Sequence, residues 1–375
     1  MKDNTSSERL QYTIRYPRKV LARTLLKGTA RALFALLTRT TVTGLENLPK
    51  QGPAILVGNH VAMIETVLMM AYPPYQVEMI AAGDIPWDKR FAPLINAYGV
   101  IPIKRGSMDR EGTSMMLDVL KQDGIIGMFP EGGIWETGNK GARTGVAWLS
   151  NKANAPVVPV GFGGIEGALA GIVSFKRPRL TMNIGQAIPP IGVEVSGKSR
   201  KDALEEGANL VMERIEALIP PEDRQQHNRI ESERFDFQFE LKKPSGEIVT
   251  PQIALTHKEA LSKFFHRPVL LDVLARNLER PVQPLQRLDN DPAQIAAAAQ
   301  EILNYLTSEN PQFLNYRFGY ETGAEMQAGL TELRYLAQWA AQQGTTLTLK
   351  PLRWYRMAGS QEEVMEDKPG EMHIF

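Results

Sequence analysis

His60 and Glu65 stand five residues apart in Asn59-His60-Val61-Ala62-Met63-Ile64-Glu65. A base and a carboxylate at that spacing can share the first turn of a helix. The carboxylate can hold the imidazole in one tautomer and stabilise the imidazolium that forms when the ring takes a proton. No Gly-x-Ser-x-Gly elbow accompanies the pair, so the hydroxyl to be activated must come from a substrate. Three more blocks follow in order. They are Gly99-Val100-Ile101-Pro102-Ile103-Lys104-Arg105-Gly106, Phe129-Pro130-Glu131-Gly132-Gly133, and Ala155-Pro156-Val157-Val158-Pro159-Val160. Between the last two lies Arg143-Thr144-Gly145.

The elements that must position these residues alternate along the chain. Short apolar runs at 54–57, 77–81, 100–103, 125–129, 157–161 and 180–184 read as strands. Helical patterns fall at 64–72, 89–98, 112–122, 144–152 and 201–218. Buried β-branched runs alternating with helices predict an α/β sheet with helices on its faces. The motifs then lie at strand ends and in the loops that follow, where such sheets place their sites. Before this, no acid occurs between Glu8 and Glu46, whereas eight bases do. Lys19, Arg23, Lys27 and Arg31 repeat every fourth residue, beside Leu21, Leu25, Leu26, Leu33, Phe34, Leu36 and Leu37. The expectation is a basic amphipathic helix lying in an anionic lipid interface, cations at the headgroups. The alternative is a helix packed on the core with a solvated basic face.

Pro220-Pro221 and the polar run that follows read as a linker over 221–234, separating residues 1–220 (core about 30–220) from 235–375. The second part shows a strand at 235–241, helices at 257–278, 292–306 and 323–343, and a strand at 345–356. It is expected to be a separate α+β domain, with no chemical motif to assign a role. Charge supports the division. Residues 1–220 carry 26 basic and 20 acidic side chains, net +6, and the remainder 17 and 22, net −5.

Composition narrows the chemistry. In 375 residues, 43% hydrophobic and 23% charged, there is no cysteine, which excludes disulfides, thiolate nucleophiles and cysteine-held metals. His227, His257, His266 and His373 lack metal-ligand spacing. Nucleic-acid binding has only the basic helix in its favour. Residues 192–199 fit Gly-x4-Gly-Lys-Ser, but Pro189-Pro190-Ile191 precedes them where a phosphate-binding loop needs a buried strand. A Ser199-capped helix start explains them better. No apolar stretch approaches the roughly 18–20 residues of a membrane span, and residues 2–8 are unlike a secretory signal. The expectation is a cytoplasmic protein, peripherally associated with the inner face of the membrane.

The four blocks, all present and in order, resemble those of the glycerolipid acyltransferases, over about residues 30–220. The resemblance implies a mixed sheet flanked by helices and no cofactor. It implies acyl-CoA or acyl-carrier protein as donor, and lysophosphatidate or a similar lysolipid as acceptor. His60 is then the base and Glu65, where the family usually has Asp, its orienting acid. Arg105 matches the family's acceptor-phosphate arginine, with Lys104 and Gly106 beside it. Glu131 and Gly132 match the block that shapes the acceptor site, and Arg143 offers a further phosphate contact. Pro156 to Val160 suggests walls for the acyl chain or carrier, or simply a core strand. Glu for Asp and Gly133 for the family's Thr keep two other readings open: a catalytically inactive lipid-binding homologue, and an acyltransferase with a non-phosphate acceptor.

Overall fold

Strand β2 (Ala54–Gly58) is buried at every residue and reads Ala-Ile-Leu-Val-Gly. An unbroken apolar run of this kind marks a strand covered on both faces. The computed structural model describes residues 20–83, 92–104, 109–130, 144–193, 198–227, 230–251, 253–278, 283–288, 290–357 and 359–368. β2 pairs in parallel with β5 (Ile125–Met128) on one side and β6 (Val157–Gly163) on the other. Beyond β5 come β3 (Val77–Ala82) and β4 (Ile101–Ile103), both parallel. Beyond β6, β7 (Arg179–Ile184) runs antiparallel and pairs in parallel with β1 (Arg39–Thr43). The seven strands thus lie in the order β1-β7-β6-β2-β5-β3-β4.

Helices cover both faces. Phe34, from α1 (Val20–Leu37), and Leu68, from α2 (Ile64–Ala71), pack on one side with Leu56, Met79, Val158 and Met182. Tyr98 from α3 (Ala92–Tyr98) and Ala168 from α6 (Ala168–Val173) join them. The other side is built on Ile55 and Val57. Against them pack α4 (Arg110–Lys121), α5 (Gly145–Ala153) and α7 (Arg200–Leu218), through Met115, Val119, Ala147, Val211 and Ile215. The α/β sheet and its motif-bearing strands follow the sequence pattern closely. β1 and α6 do not appear in that pattern. Arg39-Thr40-Thr41-Val42-Thr43 is a polar edge strand whose partner lies 140 residues on.

Helix α1 corrects the expectation built on its charges. Its described cations are tied to the fold by hydrogen bonds: Arg23 is buried, Lys27 is half-buried, and Arg31 is exposed. Arg23 is fully buried, pairs with fully buried Glu78 at 2.6 Å, and donates to the carbonyls of Tyr98 and Gly99 at 2.7 Å each. Lys27 donates to the carbonyls of Pro73 and Tyr75. Burial, and then the neighbouring Arg31, lower the Lys27 ammonium to about 8. Arg31 donates to the Ala71 and Tyr72 carbonyls at the C-terminus of α2. Cations suit a helix C-terminus, whose last carbonyls lack helical partners. Lys19 lies outside the described residues.

The second part has its own sheet, β10 (Glu363–Glu366), β9 (Thr346–Met357) and β8 (Ile230–Lys242), antiparallel throughout. Its buried cluster shares no residue with the two above. The segment 221–234, read as a linker, instead holds helix α8 (Pro221–His227) and the start of β8. The Asp223 carboxylate accepts the Gly164 N–H at 3.0 Å, fixing α8 beside the end of β6. One helix was expected over 257–278. It divides into α9 (Lys258–Phe265) and α10 (Pro268–Asn277), because Pro268 cannot continue a helix and starts a new one. Ser199 caps α7 by accepting the Asp202 N–H at 3.2 Å, as expected of a helix start.

Candidate active site

The loop leaving β2 carries His60, and the first turn of α2 carries Glu65, at the C-terminal edge of the parallel strands. His60 Nδ1 and Glu65 Oε1 are 2.8 Å apart. The same carboxylate oxygen accepts the Val61 and Ala62 N–H groups at 2.6 Å each. Glu65 therefore closes the turn around itself: two amides of the loop just ahead of the helix hold the carboxylate, and the carboxylate holds the ring. Its side chain is fully buried, whereas that of His60 is 14% exposed. Nδ1 donates to the carboxylate, leaving the lone pair on Nε2, where a general base needs it. The extra methylene of Glu, compared with Asp, does not spoil the contact. Glu65 Oε2 is buried without a hydrogen-bond partner among the described residues.

Two residues hold this arrangement that motif reasoning did not single out. Asn59 is buried; its Nδ2 donates to the Phe162 carbonyl at 3.1 Å and its Oδ1 accepts the Phe162 N–H at 2.8 Å. Both prongs fasten the His60 loop to β6 just beyond the Gly58–Val160 pairing. Phe129 follows β5, the other neighbour of β2, and stacks on the His60 ring with centroids 4.0 Å apart and planes 10° from parallel. The base is thus fixed from three sides: its own turn, β6 and β5. Phe129 stands in the Phe-Pro-Glu-Gly block, and that was its signal. Asn59 precedes His60, but its partner 103 residues away leaves no local trace.

Of the other candidates, Lys104 alone falls within the described residues. Lys104 is exposed at the end of β4, three strands from β2, or roughly 14 Å at the usual strand spacing. Its backbone N–H donates to Asp109, which also accepts the Gly112 N–H and caps α4. Partial burial pushes the Asp109 carboxyl up, but these amides and the Lys104 charge outweigh it and hold it below the usual range. Asp109 thereby ties the end of β4 to the start of α4. Arg105, Gly106, Glu131, Gly132 and Arg143 lie outside the described residues. Val157, Val158 and Val160 are fully buried in β6, so the fourth block is a core strand here. Among the described residues no group of His, Asp and Glu could hold a metal.

A fixed imidazole–carboxylate pair at a strand end is built to take a proton from a bound hydroxyl. Residues 39–163 match the acyltransferase family model. The chain is 20% identical over 188 residues to a 1-acyl-sn-glycerol-3-phosphate acyltransferase of Bacillus subtilis, covering 50% of this chain and 92% of that protein. A crystal structure of the LPA acyltransferase PlsC from Thermotoga maritima aligns with a TM-score of 0.36 at 18% identity, covering 51% of this chain and 78% of the other. Through the matched domain the protein is an acyltransferase. Its relatives of this kind are the 1-acyl-sn-glycerol-3-phosphate acyltransferases.

Proposed function

We propose that the protein transfers a fatty acyl group from acyl-CoA or acyl-carrier protein to the free hydroxyl of lysophosphatidate or a similar lysolipid, in phospholipid synthesis. The observation that carries this reading is the assembled His60–Glu65 pair, with Nδ1 committed to the carboxylate at 2.8 Å. His60 Nε2 takes the hydroxyl proton as the oxygen attacks the thioester carbonyl. The tetrahedral intermediate collapses, expelling a thiolate, and the imidazolium returns its proton to that sulfur. Glu65 carries the counter-charge throughout, and no acyl-enzyme is required. The assembled pair removes the motive for an inactive homologue. Arg105, with Lys104 and Gly106, receives the acceptor phosphate in this reading; Glu131, Gly132 and Arg143 shape the acceptor site. The protein works on the cytoplasmic side of a membrane, peripherally associated with its inner face.

The test is transfer of a labelled acyl group from acyl-CoA or acyl-carrier protein to a panel of lysolipids and neutral alcohols. Transfer to lysophosphatidate that His60→Ala abolishes supports the reading. Arg105→Ala should then raise KM about ten- to hundredfold for the phosphate-bearing acceptor alone, the size of a lost charge-assisted contact. A neutral alcohol preferred over every phospholipid precursor would overturn the acceptor assignment.

A further inference from the structure

Asn59 aims His60 by gripping the backbone of Phe162, so whatever holds Phe162 also bears on the base. Phe162 has soft neighbours. It stands in Gly161-Phe162-Gly163-Gly164, and glycines give a strand end more conformational freedom than any other residue. Pairing with β2 runs to Val160, and pairing with β7 to Gly163, opposite Thr181. Gly164 lies past both and turns with φ +69°. Its N–H is taken by the Asp223 carboxylate at 3.0 Å, from α8, 59 residues further along the chain.

The corner between α7 and α8 is laid directly on this backbone. A Cβ at Gly161 would meet the Leu218 carbonyl carbon at 2.4 Å, and one at Gly163 would meet Asp223 Oδ2 at 2.5 Å. The glycines on either side of Phe162 thus make room for the corner. The corner is itself braced. Arg224 Nε donates to the Ile219 carbonyl at 2.6 Å, and its guanidinium also reaches the Ala217 carbonyl. The Pro220 carbonyl accepts the Asp223 and Arg224 N–H groups at 2.9 and 3.1 Å. An open cavity of about 190 Å³ is lined by Asp223 and Gly164 together with Val61, whose N–H holds Glu65. Helix α8 therefore stands one small cavity away from the catalytic turn.

We infer that Asp223 is a positioning residue for acyl transfer: it anchors the glycine-flanked end of β6 and, through Phe162 and Asn59, keeps the His60 loop in place. The inference rests on the acyltransferase reading of the site. The stretch that matches the acyltransferase family ends at residue 163, so the base draws this support from outside it. A carboxylate suits the task, because a charged acceptor holds a backbone N–H about twice as strongly as a neutral one.

The experiment compares the full chain with Asp223→Ala, Asp223→Asn, Asn59→Ala and the Asp223→Ala/Asn59→Ala double variant, each assayed well below its melting temperature. A misplacement of about 1 Å can cost about a hundredfold; with β7 still holding Gly163, Asp223→Ala should lower kcat about tenfold and leave the donor KM within about threefold. Asp223→Asn keeps an acceptor oxygen and should recover most of that rate. Both alanine variants act through Phe162, so their losses should not multiply, and the double variant should match Asn59→Ala within about threefold. Amide exchange reads the tether without any chemistry. The Phe162 N–H, which donates to Asn59, should exchange at least about tenfold faster in Asp223→Ala than in wild type. Losses that multiply would overturn the inference, since Asp223 would then act independently of Asn59. An Asn variant as slow as Ala would overturn it as well, by making the charge and not the bond to Gly164 the feature that counts. So would unchanged exchange at Phe162. A wild-type chain that acylates no acceptor sinks the functional reading, while the exchange arm still judges the tether.

Discussion

Glu65→Gln separates the two things the carboxylate does. In the structure Oε1 already accepts three donors, His60 Nδ1 and the Val61 and Ala62 amides, while Oε2 has none among the described residues. A glutamine keeps its carbonyl oxygen at that crowded position, because turning the amide nitrogen toward two N–H groups would set donor against donor. The tautomer is therefore preserved, and only the charge beneath the imidazolium is lost. Replacing a charged acceptor by a neutral one costs about 1.5–3 kcal/mol, or roughly 10- to 150-fold in kcat. That is far below the roughly 10⁴-fold seen where the equivalent change in a serine-protease triad imposes the wrong tautomer. Glu65→Asp withdraws the oxygen by about one C–C bond and breaks the short contacts, so it should fall below wild type although Asp is the family's usual residue. Saturating steady-state transfer at pH 7.5, with melting temperatures as a folding control, measures all three proteins. A Gln variant at the wild-type rate, or an Asp variant above it, would refute the assignment of Glu65 as counter-ion.

Three further perturbations test the surroundings. Arg23→Ala leaves Glu78 buried without its guanidinium partner, at a cost of about 3–5 kcal/mol and a fall in Tm of about 10 °C; Arg23→Met with Glu78→Met should recover most of it. A drop of only a degree or two would mean the pair is not insulated from water. Asn59→Ala removes both links between the His60 loop and Phe162, so kcat should fall at least about tenfold while the donor KM stays within about threefold, because the base loses its aim and not its pocket. Buried His266 donates Nδ1 to the Ser262 carbonyl, and burial, helped by Arg353 and Arg267, holds its pKa below the usual histidine value. The unfolded chain takes that proton first, so stability is fully present above pH 6.5 and declines as pH falls through the folded value. Denaturation monitored between pH 7 and 5 should show this loss in wild type but less of it in His266→Met; equal slopes would exclude His266 as the cause.

The His60–Glu65 contact was legible because it is local. His60 and Glu65 meet within one turn, and spacing alone announces that. The central strands were legible because parallel strands covered on both faces leave unbroken apolar runs, as in Ala54-Ile55-Leu56-Val57. What lay beyond reading involved distant partners. Thr40 to Thr43 look like loop until β7 pairs with them, and Asn59 looks like any polar residue until Phe162 faces it. The basic stripe of α1 shows the difference most clearly. Periodicity tells which residues share a face but not whether that face turns inward. The acceptors that drew it in are mainly backbone carbonyls at 71–75 and 98–99, which no side-chain pattern records.

The seat of Arg23 also sets an order of events on the ribosome. The helix at 20–37 is synthesised before any of its partners: Glu78 follows Arg23 by 55 residues, and the Tyr98 and Gly99 carbonyls by 75 and 76. At about 5–20 residues per second, the nascent helix waits roughly 3–15 s with its guanidinium unanswered and its leucines bare. During that interval it is a cationic, leucine-rich segment, open to whatever first meets a chain emerging from the exit tunnel. Only when residue 99 is out can the helix settle and hide its charges.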